Sequence, residues 1–280
     1  MKKFLLPLVL ILLIGISTAE SQVTISKIKK LKKPMFVVDV FGGYSLPILD
    51  LKGSSIKEYY NFANYAMSGG FQASTKVKFA IGTYEASQIR LYALFTYSHY
   101  TNDEAAAYNM PFVAAGWPSV GVNGSGQYVP PGGVSGRSNA RINIPYAGLG
   151  FEYSVFVDEA LRSSFDFGAD IDMSSVFGRY YDQPTGQGET FNTLRANYRM
   201  GFGVNAQYNI RANENFGFTV GMRYMMHNIL LKSTKVSDAN GYMFLNDEAN
   251  TDINPYITTS RNIGSFDVFG GVSFYIGKRK

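Results

Sequence analysis

The chain has 280 residues, of which 46% are hydrophobic, 15% aromatic and only 17% charged, with 29 glycines; this is the composition of a folding chain and excludes a disordered one. No cysteine is present, so packing and hydrogen bonding must hold the fold without a disulfide framework. The net charge of +5 is too mild to imply nucleic acid as a partner, and the shortage of charge points to a surface that does not face water.

In chain order, the first feature is Met1-Lys2-Lys3, an apolar run over residues 4–16, and Ser17-Thr18-Ala19, the three parts of a secretory signal. We expect residues 1–19 to be a cleaved signal peptide, which leaves 24 basic against 21 acidic residues. The run is short for a spanning helix and contains Pro7, and no later stretch offers about 18 consecutive apolar residues, so no transmembrane helix is expected. Residues 20–34 form a basic segment whose stretch "SKIKKLKKP" carries five lysines, a solvated tail or, if the topology below makes it periplasmic, a contact for anionic headgroups.

From residue 35 the pattern has a period of two. Alternating segments occupy residues 35–46, 69–81, 89–100, 144–157, 165–177, 194–210, 216–230 and 266–276. The sixth is the most regular: Leu194, Ala196, Tyr198, Met200, Phe202, Val204, Ala206, Tyr208 and Ile210 alternate with polar residues or glycine, an arrangement that a helix would scatter over every face. Connections after the second, fourth and sixth segments are short ("GTYEASQ", "DEALRSS", "RANEN"), whereas those after the first, third, fifth and seventh are long. An up-and-down meander puts all short turns at one end and all long loops at the other. The expectation is an all-β chain, an eight-stranded antiparallel up-and-down transmembrane β-barrel over residues 35–277, with residues 278–280 as a basic C-terminal tail.

Three features turn the apolar face outward, away from the soluble lipocalin-like alternative. The apolar set is too bulky for the interior of an eight-stranded barrel, which holds just enough side chains to fill it. The other face is rich in glycine, including Gly148, Gly150, Gly168, Gly201 and Gly203, as a crowded interior requires. The leader, finally, sends the chain where a membrane barrel can form. With these features the chain resembles the small outer-membrane β-barrels, the group of the OmpA transmembrane domain and OmpX-like proteins. That resemblance implies a bacterial outer-membrane location, short periplasmic turns and long extracellular loops. The last segment, "DVFGGVSFYIG", is similar to the family's assembly signal through Gly271, Phe274 and Ile276, which implies outer-membrane lipids and the assembly machinery as partners.

Parity places twelve charged residues inside. The acids are Asp39, Glu152, Asp166, Asp170, Asp172 and Asp267, and the bases are Lys76, Lys78, Arg90, Arg195, Arg199 and Arg223. Each acidic strand has a basic neighbour, with the fifth strand's aspartates beside Arg195 and Arg199 and Arg223 beside Asp267. Unpaired buried charge is costly, so the pattern predicts a salt-bridged, largely plugged lumen. Asp170-x-Asp172 lacks the glycine and distal glutamate of a calcium loop, and no metal or cofactor is expected.

The two histidines, His99 and His227, lie near the loop ends of their strands, where lipid-modifying chemistry could act. Parity faces His99 outward and its neighbour Ser98 inward, while His227 has no adjacent serine or acid, so no catalytic set is assigned. Trp117 and Tyr128, in the glycine- and proline-rich loop over residues 101–143, are the candidate contacts for an extracellular ligand or surface partner. The reading is a structural or surface-interaction protein, with a narrow pore as the alternative and a lipid-modifying enzyme third.

Overall fold

A computed structural model describes residues 30–60, 63–104, 136–184, 190–236, 242–249 and 258–278. Eight strands follow one another: β1 (Pro34–Leu49), β2 (Gly69–Thr83), β3 (Ser87–Glu104), β4 (Gly136–Phe156), β5 (Ser163–Pro184), β6 (Thr190–Arg211), β7 (Phe216–Leu230) and β8 (Ile263–Lys278). Among the described residues one short helix, α1 (Lys57–Tyr60), lies between β1 and β2. Every strand pairs antiparallel with its sequence neighbours, and β8 returns to β1, closing the barrel without a free edge. The expected signal peptide lies outside the described residues, as do Trp117 and Tyr128.

Alternation produces the wall because successive side chains of a strand point to opposite faces. Along β3, residues 90, 92, 94, 96, 98 and 100 are buried, and 91, 93, 95 and 97 between them are exposed. The closure seam is long, with Pro34 opposite Lys278 and Leu49 opposite Ile263 in one unbroken register. Lys278 therefore belongs to β8 and not to a tail.

The strands nearest the middle of the sequence outrun the alternation that reveals them. β4, β5 and β6 have 21, 22 and 22 residues, against 15 in β2 and β7. As a result only residues 185–189 separate β5 from β6, where a long loop was expected. The alternation fades there because the outward positions turn polar, as at Asn139, Arg141 and Arg179, while backbone pairing continues.

At the turn end, the chain before β1 seals the base. The buried Leu31 donates its backbone N–H to Ala160 at 2.9 Å, and Arg211 donates to the Lys32 carbonyl at 2.9 Å. Lys33 reaches the carbonyls of Tyr84 and Glu85 in the β2–β3 turn. Residues 30–33 are thus docked where a solvated tail was one of the expectations.

Candidate functional site

The lumen is the candidate site, since that is where the charged side chains gather. Eleven of the twelve predicted lumen charges are buried, none more than 5% exposed. In the half near the turns, three cations meet three acids. Lys76 contacts Glu152 at 2.8 Å; Lys78 contacts Asp39 at 2.9 Å, Glu152 at 2.8 Å and Asp166 at 3.1 Å; Arg90 contacts Asp166 at 2.9 Å and Glu152 at 3.2 Å. Ser154 and Ser164 donate to Asp166 at 2.5 and 3.0 Å, and Gln207 and Asn205 accept from Lys76. Every charged group in this cluster meets an opposite charge, the condition under which buried charge is tolerated, although Asp39 Oδ1 and Arg90 Nε have no hydrogen-bond partner among the described residues.

Above it, Tyr92 crosses the lumen. Its hydroxyl donates to Asp170 at 2.6 Å and accepts from Asn205 at 3.0 Å, while the Lys76 ammonium sits 4.3 Å from its ring centre. Two glycines make this possible: a Cβ on Gly150 or Gly168 would fall 2.8 or 3.1 Å from the Tyr92 ring. Arg223 donates to the other oxygen of Asp170 and lies over the Tyr146 ring.

The upper lumen is filled differently. Leu51, Ile56, Tyr59, Tyr65, Ala66 and Met67, from the connection between β1 and β2, fold into the mouth with Met243 and Leu245 from the connection before β8. They pack on Tyr100, Ile142, Ile144, Val176 and Tyr180 of the wall. Tyr59 stacks on Tyr180 with ring centres 3.6 Å apart, and the Tyr65 hydroxyl donates to the Leu245 carbonyl at 3.0 Å. Burial pushes both the Tyr59 and Tyr65 phenols well above their ordinary range, so they stay neutral donors. Arg199 fixes this plug: its guanidinium grips Asp247 through Nε at 2.9 Å and Nη2 at 2.7 Å, a two-pronged contact, and Asn228 adds a bond to the same carboxylate at 2.8 Å.

Several predicted neighbours do not pair. Arg199 serves Asp247 and not the β5 aspartates, Asp166 is served from β2 and β3 across the lumen, and Asp170 is served from β7. Asp267 is opposite Arg223 in register yet accepts from Ser45. Arg195 is not in the lumen at all: it is exposed on the outer wall. The physical reason is a bulge, since Val176 pairs with Asn197 but Gly178 pairs with Leu194, so two β6 residues, 195 and 196, face one on β5 and the parity of β6 reverses. Leu194 turns in and Arg195 turns out.

The remaining predicted positions are readily placed. Gly271 lies on the inner face against Phe41, with Phe274 and Ile276 on the outer. His99 is on the outer rim, where its Nδ1 is 2.7 Å from Asn143 Oδ1. His227 is fully buried, 3.3 Å from Ser265 and edge-on to Tyr146. Asp247, Arg261 and Arg211 are buried charges that period-two reading missed, because they lie in connections or at strand ends.

The outside of the barrel completes the picture. Leu149, Phe151, Ile171 and Tyr198 are 62–69% exposed, while Asp39, Lys76, Lys78, Glu152 and Asp166 are buried. Apolar residues outside and ion pairs inside invert the arrangement of a water-soluble protein. This is the fold of the small outer-membrane β-barrels. From Phe165 to Phe177 the outward face of β5 climbs roughly 31 Å along the axis, taking about 3.4 Å per residue and a tilt near 40°, enough to cover the ~25 Å apolar band of such a barrel.

No protein-family model and no curated protein matches the chain. Among solved structures it is similar to Neisserial surface protein A (13% identity, covering 86% of this chain and 97% of that one, TM-score 0.43). It is also similar to OprG from Pseudomonas aeruginosa (9%, 89% and 99%, TM-score 0.38) and to Ail, the attachment invasion locus protein of Yersinia pestis (8%, 85% and 98%, TM-score 0.33). The barrel assignment rests on the inverted wall and its closure, not on these likenesses.

Proposed function

We propose that this barrel is a bacterial outer-membrane protein with a closed lumen, acting in membrane structure or at the cell surface through its loop end. The carrying observation is the double filling of the interior, with matched ions near the turns and a packed apolar plug near the loops. Outer-membrane lipids would cover the wall, and the assembly machinery would read Gly271, Phe274 and Ile276. With the turns on the periplasmic side, the strand ends at Leu49, Glu104, Gly136, Leu230 and Ile263 would lie at the cell surface, and the connections that join them would carry whatever recognition the protein has. Conductance of the folded barrel in planar bilayers tests the closure: the expected record is a baseline without stable openings, and a large, lasting conductance would refute it.

One observation favours a narrow water path as the second reading. Both carboxylate oxygens of the buried Asp172, together with Asp39 Oδ1, Asp267 Oδ2 and His227 Nδ1, have no hydrogen-bond partner among the described residues. Buried polar atoms of this kind are commonly completed by water. An enzymatic reading finds less support. His227 and Ser265 are both fully buried, out of reach of a lipid ester, and His99 Nδ1 engages Asn143 Oδ1.

A further inference from the structure

The bulge that removes Arg195 from the lumen places it in a cationic group on the outer wall. Arg141 of β4 and Arg179 of β5 are register partners, and Arg179 is in turn opposite Thr193 of β6, two residues from Arg195. All three arginines are exposed. They line a groove of about 510 Å³ together with His99, Asn143 and Phe177. Its lower edge is ordered: Asn143 Oδ1 lies 2.7 Å from both the Tyr97 hydroxyl, which donates to it, and His99 Nδ1. On the far side, the Arg195 guanidinium is 5.1 Å from the Tyr242 ring centre, and its backbone N–H donates to Met243 at 2.9 Å. Asp103, opposite Asn139 in register, is one outward position further from the membrane than Arg141.

The height of this group decides what it meets. Among the described side chains of β5, Phe177 is the last apolar outward residue, and Arg179 is the next outward position, about 5 Å higher along the axis. On β4 the outward sequence passes from Pro145 through Asn143 to Arg141, and on β3 from Tyr97 to His99. Three neighbouring strands therefore change from apolar to cationic or polar within one outward position of one another, with Phe177 opposite Asn143 and Arg179 opposite Arg141, where hydrocarbon gives way to headgroups. Guanidinium groups are suited to phosphate because their planar forks bind its oxygens in pairs.

We propose that Arg141, Arg179 and Arg195 form a docking site for a phosphorylated lipid headgroup of the outer leaflet, whose acyl chains run down the apolar wall below Phe177. This rests on the reading of the barrel as membrane-spanning with its loop end outward. Bulges re-aim side chains, and here the β6 bulge supplies the third cation of the site.

The test uses the whole mature chain, folded in detergent and, separately, inserted into phospholipid vesicles. Native mass spectrometry in detergent would compare bis-phosphorylated lipid A with its dephosphorylated form, for the native chain and for Arg141→Gln, Arg179→Gln and Arg195→Gln, singly and together. At about fivefold per arginine–phosphate contact, the triple variant should bind lipid A roughly 100-fold more weakly, each single variant severalfold more weakly, and the native chain should show the same preference for the phosphorylated over the dephosphorylated lipid. Equal binding by native and variant chains, or equal retention of the dephosphorylated lipid, would overturn the site. Preferential capture of a soluble sulfated oligosaccharide over lipid A would overturn it too, in favour of a polysaccharide surface. Vesicle insertion separates the two levels: a chain that stays outside vesicles refutes the spanning reading, whereas one that inserts with heat-modifiable migration and ignores the substitutions refutes only the headgroup site.

Discussion

Near the turns, the lumen is filled by side chains that the wall itself carries: Asp39, Lys76, Lys78, Arg90, Glu152 and Asp166 reach across the barrel and neutralise one another. Near the loops, the filling comes from outside the wall, as residues 50–60, 63–67 and 242–249 fold back in and bury Leu51, Ile56, Tyr65 and Leu245. The lower filling is strand-borne, so it cannot leave while the barrel stands. The upper one is loop-borne and held by packing plus the Arg199 clasp on Asp247, so it can open locally at a cost below that of global unfolding. On the proposed reading the difference separates closure from recognition: the charge lattice would block the lumen, and the plug would set the shape of the outer mouth.

The strongest way to break this contrast is at Glu152, which alone touches Lys76, Lys78 and Arg90. Glu152→Gln keeps the shape but leaves three cations against two acids. Removing one partner from a buried ion network typically costs about 3–5 kcal/mol, so the midpoint for urea unfolding in vesicles should fall by a corresponding amount. A loss under about 1 kcal/mol would mean that the lattice is not dry enough for its charges to matter.

A smaller and more local effect is expected from Asp247→Ala. It strips Arg199 of its carboxylate and removes the acceptor used by Asn228 and the Ser233 backbone. The released segment admits water to Arg199, so the loss should be about 2 kcal/mol, less than for Glu152→Gln. Amide exchange should rise in residues 242–249 and 63–67 while the β2, β3 and β5 amides beside the lattice stay protected. Because the lattice remains, conductance should stay at baseline. A channel that opens in this variant would reverse the assignment and make the plug the true barrier.

Both regions bear on how much the sequence disclosed. The eight strands and the inward set on β1 to β5, β7 and β8 follow from a period-two pattern that lipid on one side enforces at every step. The choice of ionic partner does not follow, because strand adjacency suggests Arg199 with the β5 aspartates whereas an eight-stranded lumen is narrow enough for Lys78 on β2 to reach Asp166 on β5, three strands away. Arg195 was misplaced because one bulge residue reverses parity while leaving composition unchanged. The plug was illegible for another reason: Leu51, Ile56 and Tyr65 have no periodicity, and only tertiary contact with Tyr100 and Tyr180 gives them a place.

The smallest effect should come from Asp172, where the two fillings meet. It stands between Gly148 on β4 and Gly201 on β6, its register partners on either side, and neither of its oxygens is bonded to a described group. Arg223, the nearest strand-borne candidate to neutralise it, is already committed to Asp170. A buried carboxylate without a partner costs more than a buried amide of the same shape. Asp172→Asn should therefore leave the urea midpoint unchanged or raise it by about 1 kcal/mol, the opposite sign to Glu152→Gln. A loss instead would show that the charge is in use, through water or a small cation, and would favour the narrow-path reading of the lumen. Conductance of that same variant would then locate the path, since a water file through Asp172 must also pass the Lys78 lattice beneath it.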